Sequence, residues 1–241
     1  MSNIYDQQLA AGRILALTPA WQRKEQKALN DITEMLRRSK SPYVALSWGK
    51  QSTCLMHMVF RVAPHIPGLF FREVESDIIA NFNEIIAQFR DRWPIIYYEE
   101  MYYPWDENGQ RDSHSKAAKR WATTHGADGV FIGFARHESK ARRYTLAKVD
   151  KNNIFEYKDG FLRCTPLRLW SDDDIAAYVA KYDIPMLDIY HRFGFQARTS
   201  AGLTPGTHSE IGFDTMTPRQ KREVLEEKKQ HGRYKTTENH I

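Results

Sequence analysis

A short apolar run, Tyr43-Val44-Ala45-Leu46-Ser47, passes without a spacer into Trp48-Gly49-Lys50-Gln51-Ser52, and helical spacing resumes from Thr53 to Val62. A strand that turns straight into a helix is the first half of a parallel crossover unit. That junction restricts the chain to α/β architectures more than any other feature. The alternation then continues. Gly68 to Phe71 reads as strand, Ile78 to Phe89 as helix, Ile95 to Tyr98 as strand, Ser113 to His125 as helix and Gly129 to Gly133 as strand. Ile154 to Cys164 predicts a hairpin about Lys158-Asp159-Gly160, because Asp-Gly favours tight reversals. Ser171 to Tyr182 predicts a helix with Ser171 as its cap and Asp174 three residues on. Strands apolar on both faces, interleaved with helices, give a mostly parallel sheet between two helical layers with right-handed crossovers. The expected fold is therefore a three-layer, Rossmann-like α/β domain.

Both ends differ from this middle. The first forty residues read as helix, with Trp21, Leu29, Ile32, Met35 and Leu36 at helical spacing and Thr18-Pro19 as a cap followed by proline at the first helical position. From Gln196 onward a Gly-, Ser- and Thr-rich stretch leads to Thr217-Pro218 and a charged helix. The 241 residues divide into a helical extension (1–40), a nucleotide-binding α/β domain (41–195) and a loop with a basic C-terminal helix (196–241).

Composition removes several function classes. Cys54 and Cys164 are the only cysteines, too few for a four-cysteine iron–sulfur cluster or a structural zinc site. His137, His191 and His208 lack ligand spacing, so no residue is assigned to a metal. No apolar run reaches the roughly 18 residues of a membrane span. The start lacks the basic-then-apolar layout of a secretory signal, so a cytoplasmic protein without membrane contact is expected. The net charge of +5 favours polyanionic partners such as nucleotides.

The loop itself suits an anion. A turn opening a helix aims free N–H groups and the positive end of the helix dipole at one point. Gly49 lets the backbone approach closely, Ser47 and Ser52 add hydroxyls, and Lys50 adds a mobile positive charge. A phosphate or pyrophosphate is the natural occupant. Farther on, Arg136, Arg142 and Arg143 follow the strand that ends at Gly133 and project from the same sheet edge, where arginine forks grip phosphate or sulfate. Glu138 orients one arginine or sits on a magnesium ion. Asp172, Asp173 and Asp174, in the first turn of a helix, read as capping acids.

These residues carry a resemblance. Ser47-Trp48-Gly49-Lys50-Gln51-Ser52 resembles the pyrophosphate loop of the PP-loop ATP pyrophosphatase and phosphoadenosine-phosphosulfate (PAPS) reductase superfamily, the adenine nucleotide alpha hydrolase-like proteins. Many relatives have a second glycine and an aspartate where this chain has Trp48 and Gln51, and the Gln is more like the sulfonucleotide-reductase branch. Gly133 to Arg142 is similar to the family's Gly-x-Arg-Arg-x-Gln-Ser-x-x-Arg segment, with Gly133, Arg136, Ser139 and Arg142 matching and Glu138 in the Gln place. Pro166-Leu167, Trp170-Ser171, Asp174-Ile175, Tyr178, Ile184-Pro185 and Tyr190 complete the order. The resemblance implies an adenine nucleotide, ATP or PAPS, bound by Ser47, Trp48, Gly49, Lys50, Gln51, Ser52, Gly133, Arg136, Glu138 and Ser139. Lys50, Arg136, Arg142 and Arg143 would be its catalytic cations.

The chain also departs from the reductases. It has no cysteine in its tail to serve as the attacking thiolate, and Arg72-Glu73-Val74-Glu75-Ser76-Asp77 stands where the family's second strand ends Asp-Thr-Gly. Cleavage of magnesium-bound ATP between its α- and β-phosphates, activating an acceptor, is the expected activity. The alternatives are PAPS binding or reduction with a thiol supplied elsewhere, and a regulatory module without turnover. Relatives beside ParB-like partners and in DNA modification make DNA or such a protein a compatible partner, as is a homo-oligomer. The aromatic run Trp93, Tyr97, Tyr98, Tyr102, Tyr103 and Trp105 reads as packing.

Overall fold

A computed structural model of the protein describes residues 3–73, 81–102, 114–138 and 153–197. Two helices open it, α1 (Ile4–Ala16) and α2 (Pro19–Arg38). The Oγ of Thr18 accepts from the N–H of Trp21 with Pro19 opening the helix, the cap read from sequence. Then follow β1 (Pro42–Leu46), α3 (Lys50–Val62), β2 (Gly68–Glu73), α4 (Phe82–Arg92), β3 (Tyr97–Tyr102), α5 (His114–Thr124) and β4 (Gly129–Ile132). After a short 3-10 turn, Arg136–Glu138, come β5 (Ile154–Glu156), β6 (Leu162–Cys164), α6 (Asp172–Tyr182) and α7 (Asp188–Phe193).

The six strands form one sheet in the order β3-β2-β1-β4-β6-β5. Every pairing is parallel except that of β5 with β6, the two arms of the expected hairpin, where Gly160 takes a φ of 81°. The chain winds outward from β1 to β3, then returns to place β4 on the other side of β1. That reversal opens a crevice at the carboxyl ends of β1 and β4, where open α/β sheets bind ligands. Ser171 and Asp174 make a reciprocal capping box at the start of α6, as their spacing predicts.

One boundary differs from expectation. The third strand begins at Tyr97 rather than Ile95 and runs through Glu99, Glu100 and Met101 to Tyr102. Among the described residues it is an edge strand that pairs only with β2 and carries charges freely, which hides it from an apolar-run reading. The helix before it runs Phe82–Arg92, and the first residues of the expected Ile78–Phe89 helix, 78–80, lie outside the described residues. Residues 74–80, with Glu75 and Asp77, lie outside the described residues.

The two faces of the sheet are filled unequally. One holds the main core, in which Val44, Leu46, Phe70 and Phe131 meet apolar residues from α1 to α4, α6 and α7. The other holds a small cluster of Tyr43, Leu69, Val130, Trp121 and Ala122 beneath α5. The N-terminal helices belong to the main core. A Cβ on Gly12 of α1 would stand 2.8 Å from the backbone of Ala176 in α6, so only glycine permits that approach. Glu25 of α2, itself buried, accepts from Arg61 at 2.9 Å, Lys181 at 2.6 Å and the Tyr182 hydroxyl at 2.6 Å. That arrangement ties α2, α3 and α6 through one carboxylate whose burial is offset by three charged or polar donors.

Candidate functional site

The turn between β1 and α3 is built by its own side chains. Ser52 Oγ accepts from the N–H of Ser47 at 3.1 Å, donates to the carbonyl of Gly49 at 3.0 Å and lies 3.1 Å from Ser47 Oγ. Trp48 has a φ of 54°, the left-handed region that costs an L-residue roughly 1–2 kcal/mol. Its fully buried indole packs edge-on against Phe89 and Tyr97, with ring centroids 5.5 and 5.7 Å away. A left-handed position favours glycine; this chain accepts the strain in exchange for aromatic burial. Gly49 is an ordinary extended residue capping α3, φ −68° and ψ 156°.

The N–H groups of the first turn of α3 have no intrahelical acceptor. That of Lys50 goes to the hydroxyl of Tyr190 at 2.9 Å. Those of Gln51 and Ser52 have no acceptor among the described residues. The Gln51 side chain is buried and its Nε2 is likewise unpartnered. Gly133, at the end of β4, backs onto this turn: a Cβ there would stand 2.9 Å from the carbonyl carbon of Gln51 and from the nitrogen of Ser52. Its place in the motif is thus a backbone approach.

Lys50 is not the mobile charge that its exposed-loop reading suggests. Its side chain is 2% exposed, and its ammonium donates to the carbonyls of Phe195 and Ala197 and stands 3.1 Å from Asp172 Oδ1. Nε2 of His137 lies 3.2 Å from the same oxygen. Burial raises the pKa of Asp172, but the His137 hydrogen bond and the Lys50 charge outweigh it and hold the carboxyl below its usual range. Sequence spacing read Asp172 as a capping acid. The capping is done by Asp174, and Asp172 faces the loop. No sequence signal separates the two, because Asp172 meets its partners only in three dimensions.

Arg136 donates its N–H to the carbonyl of Arg168 at 2.8 Å and has an exposed side chain at this same edge. The side chain of Glu138, and Ser139, Arg142 and Arg143 entirely, lie outside the described residues, as do His208 and the C-terminal helix. Beside the loop, Tyr97 donates to Glu99 at 2.7 Å and Arg72 to Glu99 at 2.7 Å and Asn83 at 2.6 Å. Arg72, 8% exposed, and its partner Glu99 were not singled out in the sequence. Tyr97 and Trp93 pack on the core and Tyr98 on Trp121, as the aromatic run suggested; Tyr103 and Trp105 fall outside the described residues. Cys54 and Cys164 are both fully buried, and burial pushes both thiols well above their ordinary range. Among the described residues no group of His, Cys, Asp or Glu could hold a metal ion, and no helix is long and apolar enough to cross a membrane.

A cavity of about 860 Å³ opens at Ser47, Gly49, Gln51, Ser52 and Gly133 and continues across the sheet face beneath α5. A strand–loop–helix with open N–H donors at the reversal point of a parallel sheet defines a PP-loop, adenine nucleotide alpha hydrolase-like domain. The chain belongs to the phosphoadenosine phosphosulfate reductase domain family, whose model matches residues 41–208. It is 25% identical over 210 residues to a sulfate adenylyltransferase subunit 2 of Rhizobium sp., an alignment covering 70% of this chain and 66% of that protein. It is 24% identical over 206 residues to the protein of that name in Myxococcus xanthus, covering 69% and 65%. The matched region thus spans about two thirds of the length of these curated relatives. Among solved structures it is similar to the U34-tRNA thiolase NcsA from Methanococcus maripaludis with its 4Fe–4S cluster, at a TM-score of 0.51 and 13% identity, over 85% of this chain and 78% of that one.

Proposed function

We propose that the protein binds an adenine nucleotide on the β1–α3 loop and cleaves ATP between its α- and β-phosphates. An acceptor oxygen attacks the α-phosphorus, the bond to the β-bridging oxygen breaks, and pyrophosphate leaves with both electrons of that bond. The observation that carries this reading is the set of unpartnered donors at one point: the N–H groups of Gln51 and Ser52 and the buried Nε2 of Gln51, beside the Ser47 and Ser52 hydroxyls. Such a set binds a polyanion and stabilises charge that develops on it. The relatives named sulfate adenylyltransferase support transfer of an adenylyl group.

Within this reading Arg136 and Lys50 bind the β- and γ-phosphates, Lys50 by exchanging Asp172 for phosphate. Arg142 or Arg143 meets the charge developing at the α-phosphate, and Glu138 and Ser139 line the nucleotide. Magnesium arrives as part of the substrate, on the phosphate oxygens. Reduction of a sulfonucleotide is less well supported, since neither of the chain's two cysteines is an accessible thiolate. DNA binding through α2 is weakened as well: Lys24, Lys27, Arg37 and Arg38 each pair with a carboxylate within 3.2 Å.

The test is incubation with magnesium and α-labelled ATP, resolving AMP, adenylate and pyrophosphate, beside a titration with PAPS. AMP or an adenylate plus pyrophosphate, lost in Lys50→Ala and Gln51→Ala, is the expected result. Tight PAPS binding with intact ATP would overturn it in favour of the sulfonucleotide branch.

A further inference from the structure

The cavity does not end at the loop. It continues past Ala45 and Val130 to the β5–β6 hairpin, where Tyr43, Tyr157, Phe161 and Arg163 close it. Arg163 lies opposite Val130 in the sheet, and Val130 lies opposite Tyr43. From Val130 to Gly133 the strand advances about 10 Å at ~3.3 Å per residue, which sets the distance between the two ends.

Arg163 holds the one unpaired cation along this cavity among the described residues. Its guanidinium lies over the rings of Phe155 and Tyr157, 5.1 and 5.0 Å from their centroids, and its buried Nε has no hydrogen-bond partner. No carboxylate among the described residues pairs with it. The other charges on the walls are committed: Lys50 to Asp172, Asp128 to Ser39 and to the N–H groups of Lys40 and Ser41, and Lys119 to Asp159 at 3.9 Å. Between the two ends the sheet wall is apolar, supplied by Leu69, Phe71 and Ile132, while α5 contributes Ala118 and Ala122 beside the polar His114, Ser115, Lys119 and Thr123. The phenol of Tyr43 is pushed up to about 12 by burial, with the nearby charge of Arg163 pulling the other way.

A buried guanidinium nitrogen left without an acceptor is costly unless a ligand supplies one. A lone guanidinium balances one negative charge, so a carboxylate fits and the second charge of a phosphate would be left uncompensated. We infer that the Arg163 end is a second binding pocket, distinct from the nucleotide loop, for the carboxylate of a small organic acid whose apolar body, about 10 Å long, lies under α5 toward the loop. This pocket is independent of whether the loop cleaves ATP.

The probes are 4-phenylbutyrate, its neutral amide and inorganic phosphate, titrated by ligand-observed NMR into the full chain and two variants, with ATP affinity measured in parallel. The acid should bind at least about tenfold more tightly than the amide, the worth of one charge-assisted hydrogen bond. Arg163→Gln should erase that preference and leave ATP affinity unchanged, and phosphate should not compete. Ala45→Leu, which fills the middle of the cavity, should weaken acid and amide together and keeps the test open if Arg163→Gln does not fold. Equal binding of acid and amide, displacement by phosphate, parallel loss of ATP in Arg163→Gln, or undiminished binding in Ala45→Leu would each overturn the assignment.

Discussion

A single oxygen of Asp172 stands 3.1 Å from the ammonium of Lys50 and 3.2 Å from Nε2 of His137. That oxygen joins the loop helix, the turn after β4 and the start of α6, three segments that are far apart in sequence. Because Lys50 is buried, its charge depends on Asp172 and two carbonyls for compensation. Asp172→Asn should therefore destabilise the fold at neutral pH by roughly 2–3 kcal/mol, below the range for fully buried pairs because Asp172 keeps some contact with water. The sign of the pH effect follows from its depressed folded pKa. The contribution is complete above the unfolded carboxylate value near ~3.9 and is lost as pH falls through the lower folded value. Urea unfolding across an acid series should show a flatter acid limb for the variant, and parallel curves would sink the idea.

Trp48 offers a test of strain against packing. Replacing the indole by Ala or Gly removes its contacts with Phe89 and Tyr97 and should cost roughly 3–5 kcal/mol. Gly pays no penalty at a φ of 54°, whereas Ala does. Trp48→Gly should consequently be the more stable of the two by about 1 kcal/mol, a reversal of the usual order. Denaturant midpoints measured side by side decide the matter.

Gly133→Ala forces a Cβ to within 2.9 Å of the backbone of Gln51 and Ser52. Backbone cannot rotate aside as a side-chain tip can, so β4 and the first turn of α3 must separate. A loss of about 1–3 kcal/mol is expected, together with weakened ATP binding, since the displaced N–H groups are the proposed anion donors. Calorimetric titration of the folded variant with unchanged ATP affinity would detach Gly133 from the site.

Neither thiol should react in the native protein. Cys54 and Cys164 are both at 0% exposure, and a buried neutral thiol is a poor nucleophile. Treatment with a chromogenic disulfide reagent should release no signal until denaturant is added, then two equivalents. Rapid native labelling of either residue would reopen thiol chemistry for this chain.

What the sequence disclosed was local. The hairpin around Gly160, the Thr18 cap and the Ser171–Asp174 box each rest on a few adjacent residues whose preferences agree with the final fold. The strand–loop–helix that carries the candidate site was legible for the same reason. Long-range partnerships were not. Lys50 reads as a loop lysine until α7 and the following residues bring the carbonyls of Phe195 and Ala197 onto it. Asp172 and Asp174 are equivalent acids until one meets Ser171 and the other Lys50. The charged strand β3, at the edge of the sheet among the described residues, shows why an apolar run underestimates such a strand.

The helix α1 reaches the loop by a very short route. Gln8 accepts from the N–H of Phe195 at 2.8 Å, and the carbonyl of Phe195 accepts from the Lys50 ammonium. Gln8 also donates to Gln196 at 3.1 Å, while Gly12 lies against α6, the helix that begins with Asp172. The direct partners of the loop lysine lie inside the stretch that the family model matches, but two contacts that support those partners, from Gln8 and Gly12, come from well outside it. A polypeptide trimmed to begin at β1 would keep every motif and the partners of Lys50, and would lose the α1 contacts that hold Phe195 and α6 in place behind them. The boundary of the recognisable family domain is therefore not the boundary of the working unit, and exchanging this domain between relatives would require α1 to travel with it.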